Sequence, residues 1–146
     1  MCGICGKLQL DGVTPVDLEF LERMMGSIAH RGPDGRGNYR NGPVGLGHTR
    51  LAIIDLNTGA QPIANEDKTV WIVFNGEIYN YPQLREELLQ KGHQFRSTTD
   101  TEVIIHLYEE YGVQSLARLQ GMFTFAIWDE KDQTLLIARD RVGIKP

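Results

Sequence analysis

The sequence predicts an α+β domain in which a sheet is covered on both faces, by a second sheet on one side and by helices on the other. Three observations carry this. In residues 122–128, Met122, Ala126 and Trp128 alternate with Phe123, Phe125 and Ile127, so both faces are apolar, whereas a strand with one wet face alternates apolar with polar. The β-branched and aromatic run at residues 70–74 also reads as a fully buried strand. Between these strands lie two segments with helical spacing and helix punctuation. The 146 residues make about one domain, given the usual ~100–200 residues. A chain of this length can bury a core without disulfide or metal staples.

Taken in order, residues 3–10 read as a strand closed by the turn Asp11-Gly12. Thr14 as N-cap and Pro15 at the first helical position open a helix to about Ile28, with Leu18, Leu21, Met24, Met25 and Ile28 at helical spacing. Residues 30–38, with three Gly and one Pro, read as a loop. Residues 44–49 and 51–55 read as short strands and 57–60 as a turn. The buried strand 68–74 stops at Asn75-Gly76. Pro82 opens a helix with Leu84, Leu88 and Leu89 on one face and Gly92 just past its end. Thr99-x-x-Glu102 reads as a capping box for a helix that carries Val103, Ile104, Leu107, Tyr108 and Tyr111 and ends at Gly112. A short helix at 113–119 precedes a hairpin of strands 122–128 and 134–138. No internal repeat, low-complexity tract or linker interrupts the chain. Because the elements run to the last residues, 143–146 read as a cut, and the hairpin is expected to lack the strand that would cover its edge.

Composition excludes several classes. The longest apolar run, residues 70–74, is far short of the ~18 residues a membrane-spanning helix needs. Fifteen Lys and Arg against nineteen Asp and Glu give a formal net charge of −4. No basic cluster stands out, so neither nucleic acid nor an anionic membrane surface is an expected partner. Two cysteines, Cys2 and Cys5, rule out a disulfide framework. No basic stretch followed by an apolar segment marks a secretory leader, so the cytoplasm is the expected address. Glycine is abundant, 16 residues, which suits tight turns and close approach of backbone to a ligand.

Cys2 is the first candidate for chemistry. Removal of Met1, favoured by the small side chain that follows, would leave Cys2 with a thiol and a free α-amine. That amine has a reference pKa of ~7.7–8.0 and can serve as an internal general base. An incidental second residue is the competing reading. Cys2 and Cys5 also form a C-x-x-C, but residues three apart on a strand face opposite sides, and zinc would need two further ligands. No metal is expected, and Cys5 reads as a small buried hydrophobe. A Cys–His dyad stays open with His30 or His48. His106, among core-type helix residues, and His93, after a helix-ending Gly, read as structural. Asn75 and the Gly76 N–H, followed by Glu77, offer a two-donor anion hole, or a plain type I′ turn. Arg50 and Asp100 suit the carboxylate and ammonium of an α-amino acid; as two surface charges they would need no ligand.

Together these segments resemble a known family. Met1-Cys2-Gly3-Ile4, His30-Arg31-Gly32-Pro33-Asp34, Gly47-His48-Thr49-Arg50-Leu51, residues 75–80 (Asn-Gly-Glu-Ile-Tyr-Asn) and Thr99-Asp100-Thr101-Glu102 occur in the order and spacing of the class II glutamine amidotransferase domain. Gln120-Gly121-Met122-Phe123 and residues 138–146 extend the match over nearly the whole chain. The resemblance is strongest to the type that opens glutamine-hydrolysing asparagine synthetase. It implies the N-terminal-nucleophile hydrolase fold, an αββα sandwich of two stacked antiparallel sheets flanked by helices. It also implies hydrolysis of L-glutamine to glutamate and ammonia, with Cys2 as nucleophile and Asn75 and Gly76 as oxyanion donors. Arg50, Glu77 and Asp100 would hold the substrate's charged groups, Leu51, Ala52, Ile53 and Ile54 would line the pocket, and His30, Arg31, Gly32, Pro33 and Asp34 would form a lid. The domain itself needs no cofactor. ATP and Mg belong to a synthetase domain, absent from these residues, that would pass the ammonia to activated aspartate. A non-catalytic binding domain of the same fold, an amidotransferase with another acceptor, and a homodimer all remain open at this point.

Overall fold

Two antiparallel sheets stack face to face. The computed structural model describes residues 1–52 and 59–146. The smaller sheet holds β1 (Gly3–Leu8), β2 (Gly35–Asn41) and β3 (Val44–Arg50), ordered β1-β3-β2. The larger holds β4 (Ile63–Ala64), β5 (Val70–Ile78), β6 (Gly121–Asp129) and β7 (Thr134–Arg139), ordered β4-β5-β6-β7. Helix α1 (Leu18–Ser27) packs on the smaller sheet, and α2 (Tyr81–Gln90) and α3 (Asp100–Tyr111) pack on the larger. The layers therefore run α, β, β, α, as the family resemblance implies, and the larger sheet is covered by a sheet and by helices, as its doubly apolar strands predict.

Strand alternation sorts the side chains between layers. Tyr39, Val44 and Leu46 of the smaller sheet meet Val73 and Trp128 of the larger, with Tyr39 stacked on Trp71 at 4.4 Å. The other face of the larger sheet presents Val70, Ile72, Phe74, Phe125 and Ile127 to Leu84, Leu88, Ile104 and Leu107 of the helices. On β3 the residues facing α1 are glycines. A Cβ at Gly47 would stand 2.8 Å from both Cys5 Sγ and Met25 Cγ, and one at Gly45 2.9 Å from Val16. The missing side chains let α1 lie close, with Leu21 and Met25 fully buried.

Several boundaries differ from the sequence reading. The first helix is capped by Asp17, whose carboxylate accepts from Glu19 N–H. Thr14 is not its cap, because Asp11 captures the Val13 and Thr14 N–H groups and the Thr14 hydroxyl in a turn. Half of the expected 30–38 loop belongs to β2, a strand with one buried apolar residue, Tyr39, formed by pairing with β3 along its length. Leu51 and Ala52 lie outside any strand; the rest of the expected 51–55 strand, and part of the 57–60 turn, fall outside the described residues. β5 does not stop at Asn75-Gly76 but runs on to Ile78. Thr99 precedes α3, yet the box does not close: Glu102 turns back to accept from Arg96 N–H, Ser97 N–H and the Ser97 hydroxyl. Residues after α3 form a 3-10 helix, Gly112–Arg118.

Candidate active site

The site forms where one end of each sheet meets the start of α3. Gly3 pairs with Thr49, so Cys2, just before β1, lies beside the chain leaving β3. Its thiol donates to the Leu51 carbonyl at 3.7 Å, and the Leu51 N–H donates to the sulfur at 3.4 Å. Arg31 Nε donates to the Cys2 carbonyl at 3.1 Å. Backbone contacts thus fix the sulfur, and one N–H is aimed at it, an arrangement that favours a thiolate.

The sulfur faces a cavity lined by Met1, Cys2, His48, Arg50 and Leu51 on one side. Gly59, Gln61, Phe74, Asn75, Gly76, Glu77, Thr99, Asp100, Thr101 and Lys145 complete it. Seven of the expected residues converge here: Cys2, Arg50, Leu51, Asn75, Gly76, Glu77 and Asp100. Ala52 does not line the cavity; its N–H donates to Asp34 Oδ2 at 2.9 Å. Ile53 and Ile54 lie outside the described residues. The expected lid, His30–Asp34, does not line the cavity either. Arg31 holds Cys2, and Asp34 N–H donates to the Arg50 carbonyl at 2.9 Å, so the segment braces the strand ends from behind.

Asn75-Gly76 is not a turn. Asn75 pairs with Thr124 and Gly76 with Phe123 inside the β5–β6 ladder. The glycine is required by close approach and not by an unusual backbone angle: a Cβ there would lie 2.3 Å from the Met122 carbonyl oxygen. Asn75 shares a face with Val73, which places its buried side chain between the sheets at their open end.

Asp100 opens α3, and its Oδ2 accepts from Ile78 N–H at 2.8 Å, which ties the helix start to the end of β5. Burial pushes its carboxyl up to about 6, and the neighbouring Glu77 charge pushes the same way. Two carboxylates side by side on one cavity wall suit a cationic group. Arg50 supplies the opposite charge to the same cavity.

Among the described residues no histidine hydrogen-bonds the Cys2 thiol, whose partners are the Leu51 carbonyl and N–H. His30 is exposed and away from the cavity. His48 lines it, but burial pushes the imidazole down to about 4; Arg50 acts in the same direction, and the Phe74 backbone opposes. Among the described residues its Nε2 has no hydrogen-bond partner. Cys5 points away from the cavity toward α1, and burial, with Glu22 nearby, pushes its thiol up to about 11. Both cysteines are free.

Sequence reasoning missed Gln61, Thr101 and Lys145. Gln61 Oε1 accepts from Phe74 N–H at 2.6 Å. Lys145 is buried because the Asp140 carboxylate accepts from Ile144 N–H at 2.8 Å and Lys145 N–H at 3.0 Å, and its Nζ lies 3.5 Å from Met1 Sδ. No spacing rule marks these residues; only the folded sheet ends bring them together. Away from the cavity, Glu66, His93, His106 and Glu109 bring ligating atoms within 4.8 Å of one another. Among the described residues no helix is long and apolar enough to cross a membrane.

Comparisons with known proteins show what the chain is similar to. The chain is 46% identical over 148 residues to the asparagine synthetase [glutamine-hydrolyzing] 1 of Bacillus subtilis (strain 168), covering 100% of this chain and 23% of that protein. It is 44% identical over 144 residues to the Arabidopsis thaliana protein of the same name, covering 99% and 24%. The chain therefore spans about a quarter of the length of these curated relatives. A solved Bacillus subtilis glutamine phosphoribosylpyrophosphate amidotransferase, complexed with ADP and GMP, shares the fold with a TM-score of 0.78 at 24% identity, over 99% of this chain and 38% of that one. A family model described as a glutamine amidotransferase domain matches residues 1–146. That match runs the whole length of the chain, which thus belongs to the glutamine amidotransferase domain family.

Proposed function

We propose that this cavity hydrolyses L-glutamine to glutamate and ammonia with Cys2 as the nucleophile. The observation that carries the reading is the Cys2 thiol held on the Leu51 N–H in one cavity with Arg50 and the Glu77–Asp100 pair. Arg50 binds the substrate carboxylate and the two acids its ammonium, which leaves the side-chain amide directed at the sulfur. Once Met1 is removed, the thiol proton passes to the α-amine as sulfur adds to the amide carbon. The Asn75 side-chain amide and the Gly76 N–H receive the oxyanion. The amine returns the proton to nitrogen as the C–N bond breaks and ammonia leaves. Water then adds to the thioester, and the C–S bond breaks to give glutamate and the free thiol. His30–Asp34 serves this reaction by bracing Cys2 and Arg50.

The ammonia passes to an ATP-dependent synthetase part of the longer protein, with activated aspartate as the acceptor. ATP and Mg act there, and this domain needs no cofactor of its own. The names and lengths of the relatives support this reading, and two free cysteines suit the cytoplasm.

Met1 decides the test. Retained, it leaves Cys2 with an amide nitrogen and no base, and its side chain stands in the cavity. Chain processed to Cys2, verified by intact mass, should release glutamate, and Met1-retaining chain and Cys2→Ala should not. Equal turnover with and without Met1 overturns the mechanism. Glutamine binding without turnover in the processed chain would make this a binding domain.

A further inference from the structure

We propose that Glu66, His93, His106 and Glu109, none of which lines the Cys2 cavity, form a binding site for one divalent transition-metal ion of the zinc class. The four residues come from separate places: the connection after β4, the connection after α2, and α3. His93 Nδ1 lies 3.7 Å from Glu66 Oε1 and 3.7 Å from Glu109 Oε2. His106 Nδ1 lies 3.7 Å from Glu66 Oε2 and 2.8 Å from Glu109 Oε2. Metal–ligand distances of ~2.0–2.1 Å in a tetrahedral site put neighbouring ligand atoms about 3.4 Å apart. The four nitrogen–oxygen separations above bracket that spacing, and the ligating atoms of all four residues lie within 4.8 Å of one another, so small side-chain rotations bring them to it. Two imidazoles and two carboxylates suit a borderline cation and cancel its double charge.

The outer contacts are those that metal ligands need. His93 Nε2 lies 3.1 Å from Glu110 Oε1, and Glu110 is held by Lys91 at 2.7 Å. Asn65 Nδ2 donates to the second oxygen of Glu109 at 2.7 Å, and Gln94 N–H donates to Glu66 Oε1 at 2.9 Å. A ligating histidine usually gives its other N–H to a carboxylate, and ligating carboxylates are themselves hydrogen-bonded.

The fully buried ring of His106 supplies an independent sign. Its Nε2 has no hydrogen-bond partner among the described residues, and the nearest carboxylate, Glu102, stands 3.9 Å away. A neutral imidazole carries one N–H. On Nδ1 it would satisfy Glu109 but leave a bare Nε2 lone pair facing Glu102. On Nε2 it would set the Nδ1 lone pair against a carboxylate oxygen at 2.8 Å. A cation at the centre of the cluster takes the Nδ1 lone pair out of repulsion with Glu109, and the one N–H then sits on Nε2, which faces Glu102 at 3.9 Å. Among the described residues, neither Glu66 nor Glu109 has an ammonium or guanidinium partner within salt-bridge distance. A bound ion would pin the middle of α3 to the connections after β4 and α2.

The chain, stripped with a chelator, should take up one equivalent of Zn2+ in competition with a chromophoric chelator. Co2+ should give the intense visible bands of a tetrahedral site. Zn2+ at a hundredfold excess over its Kd should raise the melting temperature by on the order of 5 °C. His93→Ala and Glu66→Gln, both at partly exposed positions, should each weaken Zn2+ binding on the order of a hundredfold or more and remove the thermal shift. The double variant Cys2→Ser, Cys5→Ser should keep both. Absence of a Zn2+ equivalent in the parent chain overturns the site. So does an equivalent that is lost with the cysteines and survives His93→Ala; the pair of imidazoles is then held by protons alone. Since the readout is metal content, this outcome is separable from any result on glutamine turnover.

Discussion

The two halves of the sandwich are built differently, and the substrate cavity lies on the seam between them. The smaller half is thin. Its β3 meets α1 through Gly45 and Gly47, and its apolar contribution between the sheets is Tyr39, Val44 and Leu46. The larger half carries an extensive apolar cluster between its sheet and two helices. The thin half holds Cys2 and Arg50 by hydrogen bonds from the Leu51 backbone, the Arg31 side chain and the Asp34 N–H. The thick half carries the buried Asn75, and Asp100, whose carboxylate accepts from Ile78 N–H. Buried polar groups stand in both halves, His48 and Thr49 in the thin one and Asn75 in the thick one, and the Cys2 sulfur is aimed by two hydrogen bonds to the Leu51 backbone.

The sharpest way to break this comparison is to add one methyl to each half. At Gly76 a Cβ meets backbone: Met122 O at 2.3 Å and Phe123 Cα at 2.7 Å. At Gly47 it meets the side chains of Cys5 and Met25, which can move. Gly76→Ala should cost about 3 kcal/mol or prevent folding, and Gly47→Ala about 1 kcal/mol, since overpacking costs ~1–3 kcal/mol and a rigid neighbour sets the upper end. Urea midpoints at fixed m-value measure both. Equal losses would mean that the two halves yield alike.

Much of this was legible in the sequence, for physical reasons. Strands β5 and β6 were visible because burial on both faces demands unbroken apolar runs. Cys2, Arg50, Asn75, Gly76, Glu77 and Asp100 each carried a chemical reading beside a structural one, and the order and spacing of their segments, through the family resemblance, singled them out. Other features had no local signature. β2 has one buried apolar residue, and its pairing comes from β3. Lys145 is buried by a turn that Asp140 closes. Glu66, His93 and His106 are far apart along the chain, so His93 and His106 read as ordinary structural histidines; only His106 and Glu109 stand at a helical spacing, three residues apart.

A second, smaller effect sharpens the contrast through pH. Asp100 in the thick half has its carboxyl raised to about 6 by burial and by Glu77, against ~3.9 in an unfolded chain. The native state therefore binds more protons between about pH 4 and 6, and stability falls as pH rises through that window. Glutamine binding runs the opposite way, because its ammonium needs the ionised form. Affinity should fall about tenfold per pH unit below pH 6. Asp100→Asn should flatten the stability slope and raise the melting temperature at pH 7, while weakening glutamine binding. Calorimetric titration and thermal melts across pH 4–8 check both. A slope unchanged in Asp100→Asn would assign the titration to another group.

The smallest expected effect belongs to Cys5, three residues from the nucleophile but on the other side of its sheet. Its thiol, with its pKa pushed up to about 11 by burial and Glu22, is protonated at neutral pH and so neither a nucleophile nor a ready metal ligand. What it contributes is volume in the contact between Gly47 and Met25. Serine at this position is slightly smaller and brings a hydroxyl into a half-buried site. Cys5→Ser should therefore cost about 1 kcal/mol of stability and leave glutamine turnover within a few-fold. Steady-state kinetics beside a urea melt reads both. A loss as deep as that of Cys2→Ala would tie the two thiols into one function and undo the separation between the face that packs on α1 and the end that carries the chemistry.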